Sequence, residues 1–118
     1  MNKRKRILIC DDEEGVRESL KLILEDDYDL DFASNGDEAV KMAGSSEYDG
    51  LLLDIKMPVK DGLDTLEEIR AVSPELKVII VTGYQSVETA VKAVKLGAID
   101  YITKPFESSE VKEKAASF

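Results

Sequence analysis

The run Leu51-Leu52-Leu53, closed by Asp54 and broken at Pro58, constrains the fold more than any other stretch of this chain. An apolar run of strand length with no polar position has no face to offer to water. It therefore reads as a strand covered on both sides, the habit of central parallel strands. Asp54 then stands where such a strand leaves the core, on the rim where open α/β sheets place their ligands. Taken alone, Asp54 reads more readily as a polar strand stop or a loop cap. The rest of the chain reverses that preference.

Ile7 to Cys10 form a first strand, apolar throughout, that stops at the four acids Asp11-Asp12-Glu13-Glu14. Val16, Leu20, Ile23 and Leu24 then recur at helical spacing. Tyr28, Leu30 and Phe32 alternate with Asp29 and Asp31, which predicts a half-buried strand at a sheet edge. Ala39, Val40 and Ala43 mark a second helix ending at Gly44, and Leu63, Leu66, Ile69 and Val72 a third, closed by Ser73-Pro74. Val78 to Val81 form a fourth strand ending at Thr82-Gly83. Val87, Ala90, Val91 and Val94 give a fourth helix, with Gly97 as its C-terminal cap. Ile99 to Thr103 form the fifth strand, stopped by Lys104-Pro105. Ser108 is expected to cap a short last helix with Val111, Ala115 and Phe118 on one face.

Strand and helix thus alternate five times, with no repeat or internal linker. The pattern predicts a doubly wound α/β fold, with right-handed crossovers and helices on both faces of a parallel sheet. Four of the five strands end in polar residues: Asp11-Asp12, Asp54, Thr82 and Lys104. In a parallel sheet those ends share one rim. Three carboxylates gathered there repel, since two unit charges 4 Å apart cost ~4 kcal/mol at an effective dielectric of 20. A hard divalent cation relieves the repulsion, and Mg2+ binds one or two carboxylates while keeping several waters. Lys104 would add a fixed positive charge and Thr82 a hydroxyl donor. That set equips Asp54 as a nucleophile for phosphoryl transfer.

Composition sets the remaining bounds. A chain of 118 residues fits one domain, here 1–118, large enough to bury a core. Twenty-five acids against sixteen bases, a net charge of -9, argue against direct binding of nucleic acid. Lys3-Arg4-Lys5-Arg6 is the one basic run and reads as a solvated leader. No apolar run reaches membrane length, and no signal-peptide segment opens the chain, so a cytoplasmic protein is expected. Cys10 is alone and reads as a small core hydrophobe. With no histidine, His-based catalysis and His-metal sites are excluded.

With Asp11-Asp12, Asp54, Met57-Pro58, Gly62, Thr82-Gly83, Tyr101 and Lys104-Pro105-Phe106 all in order, the chain resembles the receiver domain of two-component response regulators. The resemblance covers essentially its whole length. It implies a five-stranded parallel sheet in the order 2-1-3-4-5, and a phosphoacceptor role for Asp54, supplied by a sensor histidine kinase. It implies Mg2+ held by Asp12, Asp54 and the backbone carbonyl of Lys56, with Asp11 helping directly or through water. Thr82 and Tyr101 would form the switch pair, and Lys104 the cation on the phosphate, with Lys104-Pro105 cis. Lys56 and Tyr84 would flank the phosphate and tune a slow self-dephosphorylation. On this reading the chain is a signalling domain that catalyses only its own phosphorylation and dephosphorylation.

From Thr82 to Phe106 the chain further resembles the receivers of enhancer-binding, sigma-54-dependent transcriptional activators. In those an ATPase and a DNA-binding domain follow, and the effector is therefore expected to be missing or separate here. The last helix is shorter than the family's and is expected to leave apolar side chains around the fourth helix and fifth strand less covered. A phosphorylation-dependent homodimer through the fourth helix and fifth strand is expected. Two readings from other classes compete. A phosphatase of the haloacid dehalogenase type needs a second aspartate two residues after the nucleophile, where this chain has Lys56. A flavodoxin-like flavin binder needs a Ser/Thr/Gly phosphate loop after the first strand, where this chain has four acids.

Overall fold

The computed structural model describes residues 4–83 and 86–118. Lys3 of the basic run, Tyr84 and Gln85 lie outside the described residues. Five strands, β1 (Arg6–Cys10), β2 (Asp29–Ala33), β3 (Gly50–Leu53), β4 (Lys77–Thr82) and β5 (Ala98–Thr103), alternate with five helices. These are α1 (Glu14–Leu24), α2 (Gly36–Ser45), α3 (Gly62–Val72), α4 (Val87–Lys95) and α5 (Ser108–Ala115). The sheet is parallel throughout, in the order β2-β1-β3-β4-β5. The fold expected from the sequence is the fold observed.

The strands that are apolar at every position lie where both faces are covered. Leu8, Leu51, Leu53 and Ile80 pack on one face with Ala39, Leu66, Ile69 and Ala93 from α2, α3 and α4. Ile7, Ile9, Leu52 and Val81 pack on the other with Leu20, Leu24 and Val111 from α1 and α5. Alternation of side chains along each strand sends successive residues into the two layers. The alternating β2 is an edge strand, as its pattern requires. Cys10 is buried, and burial, followed by the nearby Asp11 and Asp54 charges, pushes its thiol up to about 12. It is an unreactive core residue.

One expectation about the helices is corrected. Ser108 does not cap α5: it is the first helical residue, the cap position belongs to Glu107, and no side chain bonds there. Despite the shortness of α5, Val111, Ala115 and Phe118 are all buried. Phe118 achieves this by lying over Gly50, where a Cβ would sit 2.1 Å from its ring. In α4 the inward face consists of Thr89 and Ala93, whereas Val87, Val91 and Val94 are exposed. Their helical spacing marks the helix and leaves open which side meets the sheet.

Candidate functional site

The strand ends converge because hydrogen bonding continues one step past each strand. The Asp11 amide donates to the Ala33 carbonyl at 3.1 Å, and the Asp54 amide to the Cys10 carbonyl at 3.0 Å. The Lys104 amide donates to the Thr82 carbonyl at 3.0 Å. Neighbouring strands thereby hold Asp11, Asp54, Thr82 and Lys104 at one level. These are backbone bonds, so the placement does not depend on side-chain rotamers.

The loop after β3 secures Asp54 from the other side. Ile55 and Met57 are buried, and the Gly62 amide donates to the Ile55 carbonyl at 2.7 Å. A Cβ on Gly62 would lie 2.1 Å from the Asp54 carbonyl oxygen, so only glycine permits this approach. Asp61 then caps α3, its side chain accepting from the Asp64 amide at 2.9 Å. The Lys56 amide lies 3.3 Å from Asp54 Oδ1.

Charge at the rim is concentrated and desolvated. Asp11, Asp54 and Thr82 are buried, while Asp12 is exposed. Lys104 Nζ lies 2.8 Å from Asp11 Oδ2, 3.4 Å from Asp54 Oδ2 and 3.6 Å from Glu13 Oε1. Burial pushes the Asp11 carboxyl above its ordinary value. Hydrogen bonds from Lys104 and the Glu13 amide pull it back only in part, and the Asp54 charge adds to the rise. Burial also works against the charge on Lys104, but the contacts with Asp11 and Asp54 outweigh it and raise the ammonium's pKa. The lysine is therefore a permanent cation at neutral pH, divided between two buried carboxylates.

One oxygen from each of Asp11, Asp12 and Asp54 lies within 4.8 Å of the others. Three hard oxygen donors with one exposed member fit a cation that binds few carboxylates and keeps its water, as Mg2+ does. A site for Zn2+ would call for His or Cys, and neither stands in this cluster.

A family model of the response regulator receiver domain matches residues 7–116. The chain belongs to that family. Among relatives, the receiver is 40% identical to the chemotaxis protein CheY of Halobacterium salinarum over 108 residues, covering 91% of this chain and 90% of that protein. It is 40% identical to the regulatory protein AtoC of Escherichia coli over 107 residues, covering 90% of this chain but 23% of that protein. The receiver thus spans about a quarter of AtoC. A solved CheY-like receiver domain from Methanospirillum hungatei superposes with a TM-score of 0.93 at 35% identity, covering 98% of this chain and 93% of that one.

All five side chains expected at the rim, Asp11, Asp12, Asp54, Thr82 and Lys104, stand at the strand ends of this receiver. Tyr101 stands apart from them. It pairs with Ile80 in the sheet, two residues before Thr103, which pairs with Thr82. By alternation Tyr101 and Thr82 therefore share the sheet face on which α4 lies. The Tyr101 ring is half-buried and borders a hollow of about 450 Å³ with Ser86, Val87 and Ala90. Lys104-Pro105 is cis.

The sequence reading gave Glu13 no role at the rim. Its place in the acidic run was visible, but only the loop into α1 turns it toward Lys104. Arg17 was also missed: its Nη1 donates to the Asp11 carbonyl at 2.7 Å.

Proposed function

We propose that residues 1–118 form one receiver domain in which Asp54 accepts a phosphoryl group from a sensor histidine kinase. The observation that carries this reading is Lys104 Nζ lying within ion-pair reach of both Asp11 and Asp54 at the shared strand ends. An Asp54 carboxylate oxygen forms a bond to phosphorus as the bond from phosphorus to the donor nitrogen breaks, and the freed imidazole keeps the electron pair. Lys104 follows the added negative charge, and the Thr82 hydroxyl donates to a phosphoryl oxygen. Asp11, Asp12, Asp54 and the Lys56 backbone carbonyl would hold Mg2+, which supplies positive charge to the transferring phosphoryl oxygens. The domain turns over no other substrate; water slowly removes the phosphoryl group, with Lys56 limiting its access. The proposed place of Tyr84 in that step lies outside the described residues.

Phosphorylation would act by selecting a conformation rather than creating one. Thr82, drawn to the phosphoryl group, vacates space into which the Tyr101 ring moves, and the face of α4 and β5 changes. That face exposes Val87, Val91 and Val94 along one side of α4, and Ile99 of β5 is exposed as well. Exposed apolar groups so arrayed suit a symmetric homodimer or a separate effector. The setting is the cytoplasm, where ATP supplies the kinase; no described helix is long and apolar enough to cross a membrane. The net charge of -9 keeps the domain itself off nucleic acid.

The test is mass spectrometry after acetyl phosphate and Mg2+. One phosphoryl group is expected on the wild type and none at the rim of Asp54→Asn. Equal labelling of the two would defeat the assignment. Turnover of small phosphate esters would favour the phosphatase reading instead.

A further inference from the structure

Among the described residues, the hydrogen bonds at the two ends of α4 differ. Open space flanks the helix: a groove of about 390 Å³ toward α3, bordered by Leu63, Glu67 and Lys92, and the hollow toward β5 beside Tyr101. At its N-terminal end the Ser86 hydroxyl accepts from the Thr89 amide at a long 3.4 Å. The C-terminal end is clasped. Arg70, in the last turn of α3, donates from Nε to the Leu96 carbonyl at 2.7 Å and from Nη2 to the Gly97 carbonyl at 3.2 Å. Its Nη1 donates to the Leu76 carbonyl at 2.6 Å and the Pro74 carbonyl at 3.3 Å.

All four acceptors are backbone carbonyls, so the guanidinium serves as a connector between segments rather than as half of an ion pair. Two belong to the end of α4, where carbonyls lack helical partners and the helix dipole is negative. The other two lie just before β4. Gly97, at φ +89°, completes the fit, since a Cβ there would lie 3.1 Å from the guanidinium. Only a planar fork with five donors can span these segments; a lysine would reach one or two of the carbonyls.

We propose that Arg70 is the pivot of the receiver's switch, pinning the C-terminal end of α4 to α3 and β4 so that events at Thr82 swing the N-terminal end. The helix then moves as a lever, and the exposed valines travel further the nearer they lie to Ser86. Arg70 touches neither Asp54 nor the rim, and is a positioning residue. This inference rests on the phosphoacceptor reading of Asp54.

The experiment is amide NMR of the 118-residue chain with Mg2+, before and after beryllofluoride, in wild type, Arg70→Gln and Arg70→Lys. In wild type, residues 87–90 should shift at least threefold more than residues 95–97. In Arg70→Gln, amide exchange at Leu96 and Gly97 should quicken at least tenfold and the shifts should spread along the whole helix, while residues 52–56 still respond. Arg70→Lys should fall between the two, a graded result that general destabilisation would not confine to one helix end. Equal shifts at both ends of α4 in wild type would overturn the pivot, and so would unchanged exchange in Arg70→Gln. Should Arg70→Gln not fold, the wild-type shift map and Arg70→Lys decide by the same criteria. No response at residues 52–56 in wild type would sink the phosphoacceptor reading and the lever with it. The exchange comparison would still show whether Arg70 pins the helix end.

Discussion

Replacing Val59 with glycine should stabilise the receiver, although valine is the larger and more apolar residue. Val59 lies five residues after Asp54, in the loop that secures it, with φ at 69°. The Lys60 amide donates to the Pro58 carbonyl at 2.8 Å across it, forming a γ-turn of the rare, strained kind. A β-branched side chain in this region is an outlier, and such backbone strain costs about 1–3 kcal/mol. Anchors on both sides impose it: Met57 is buried, and Lys60 pairs with Asp37 at 2.7 Å and also with Glu68. Val59 itself is fully exposed, so its removal forfeits no burial. Glycine loosens the unfolded chain, which offsets about 0.4–1 kcal/mol of the relief. The expected net gain is ~1 kcal/mol, or ~4 °C in Tm at about 2.1 cal/mol/K per residue for a chain this long. Val59→Ala keeps its Cβ and should recover only a minor part. Thermal and urea unfolding of the three proteins measure the effect. A Val59→Gly variant less stable than wild type, or no better than Val59→Ala, would refute the strain argument.

Other changes have equally definite expectations. Gly62→Ala should cost ~3 kcal/mol, the upper end for overpacking, because the added methyl meets the Asp54 and Ile55 backbone; Gly15→Ala, with nothing within 4 Å, should be neutral or stabilising by urea melts. Mg2+ at a hundredfold excess over its Kd should add ~2.7 kcal/mol of stability in wild type, and Asp12→Ala should lose most of it; a melt indifferent to Mg2+ would count against the acidic site. Thr82→Ala should still take one phosphoryl group by mass spectrometry yet lose most of the NMR response of α4, and a wild-type response would dismiss the Thr82–Tyr101 coupling. Light scattering at micromolar concentration should show the mass double with beryllofluoride, with Val91→Asp remaining monomeric; one mass in both states would reject phosphorylation-driven dimerisation.

Much of this protein was legible without coordinates. Runs apolar at every position, such as Leu51 to Leu53, can be satisfied only by burial on both faces, which dictates a parallel sheet with helices above and below. Parallel strands bring their carboxyl ends to one side, so the convergence of Asp11, Asp54, Thr82 and Lys104 followed from chain order alone. Gly97 could be placed because a helix that stops needs a residue tolerant of positive φ, and the chain takes that φ there.

Tertiary structure decided what local pattern leaves degenerate. Helical spacing shows that Val87, Val91 and Val94 share a side of α4, but which side meets the sheet depends on how closely the helix can approach. Thr89 and Ala93 permit that approach, and the bulkier valines are left outside. Ser108 is a good capping residue by type, yet the helix begins one residue too early to use it. The burial of Phe118 depends on the missing side chain at Gly50, 68 positions away in sequence, whose place the ring takes. Arg70 reads as an ordinary exposed cation of an amphipathic helix. Its role exists only because α3, the approach to β4 and the end of α4 meet around it, bringing carbonyls distant in sequence within reach of one guanidinium. Periodicity reports which residues share a face; the meeting of faces is a property of the assembled chain.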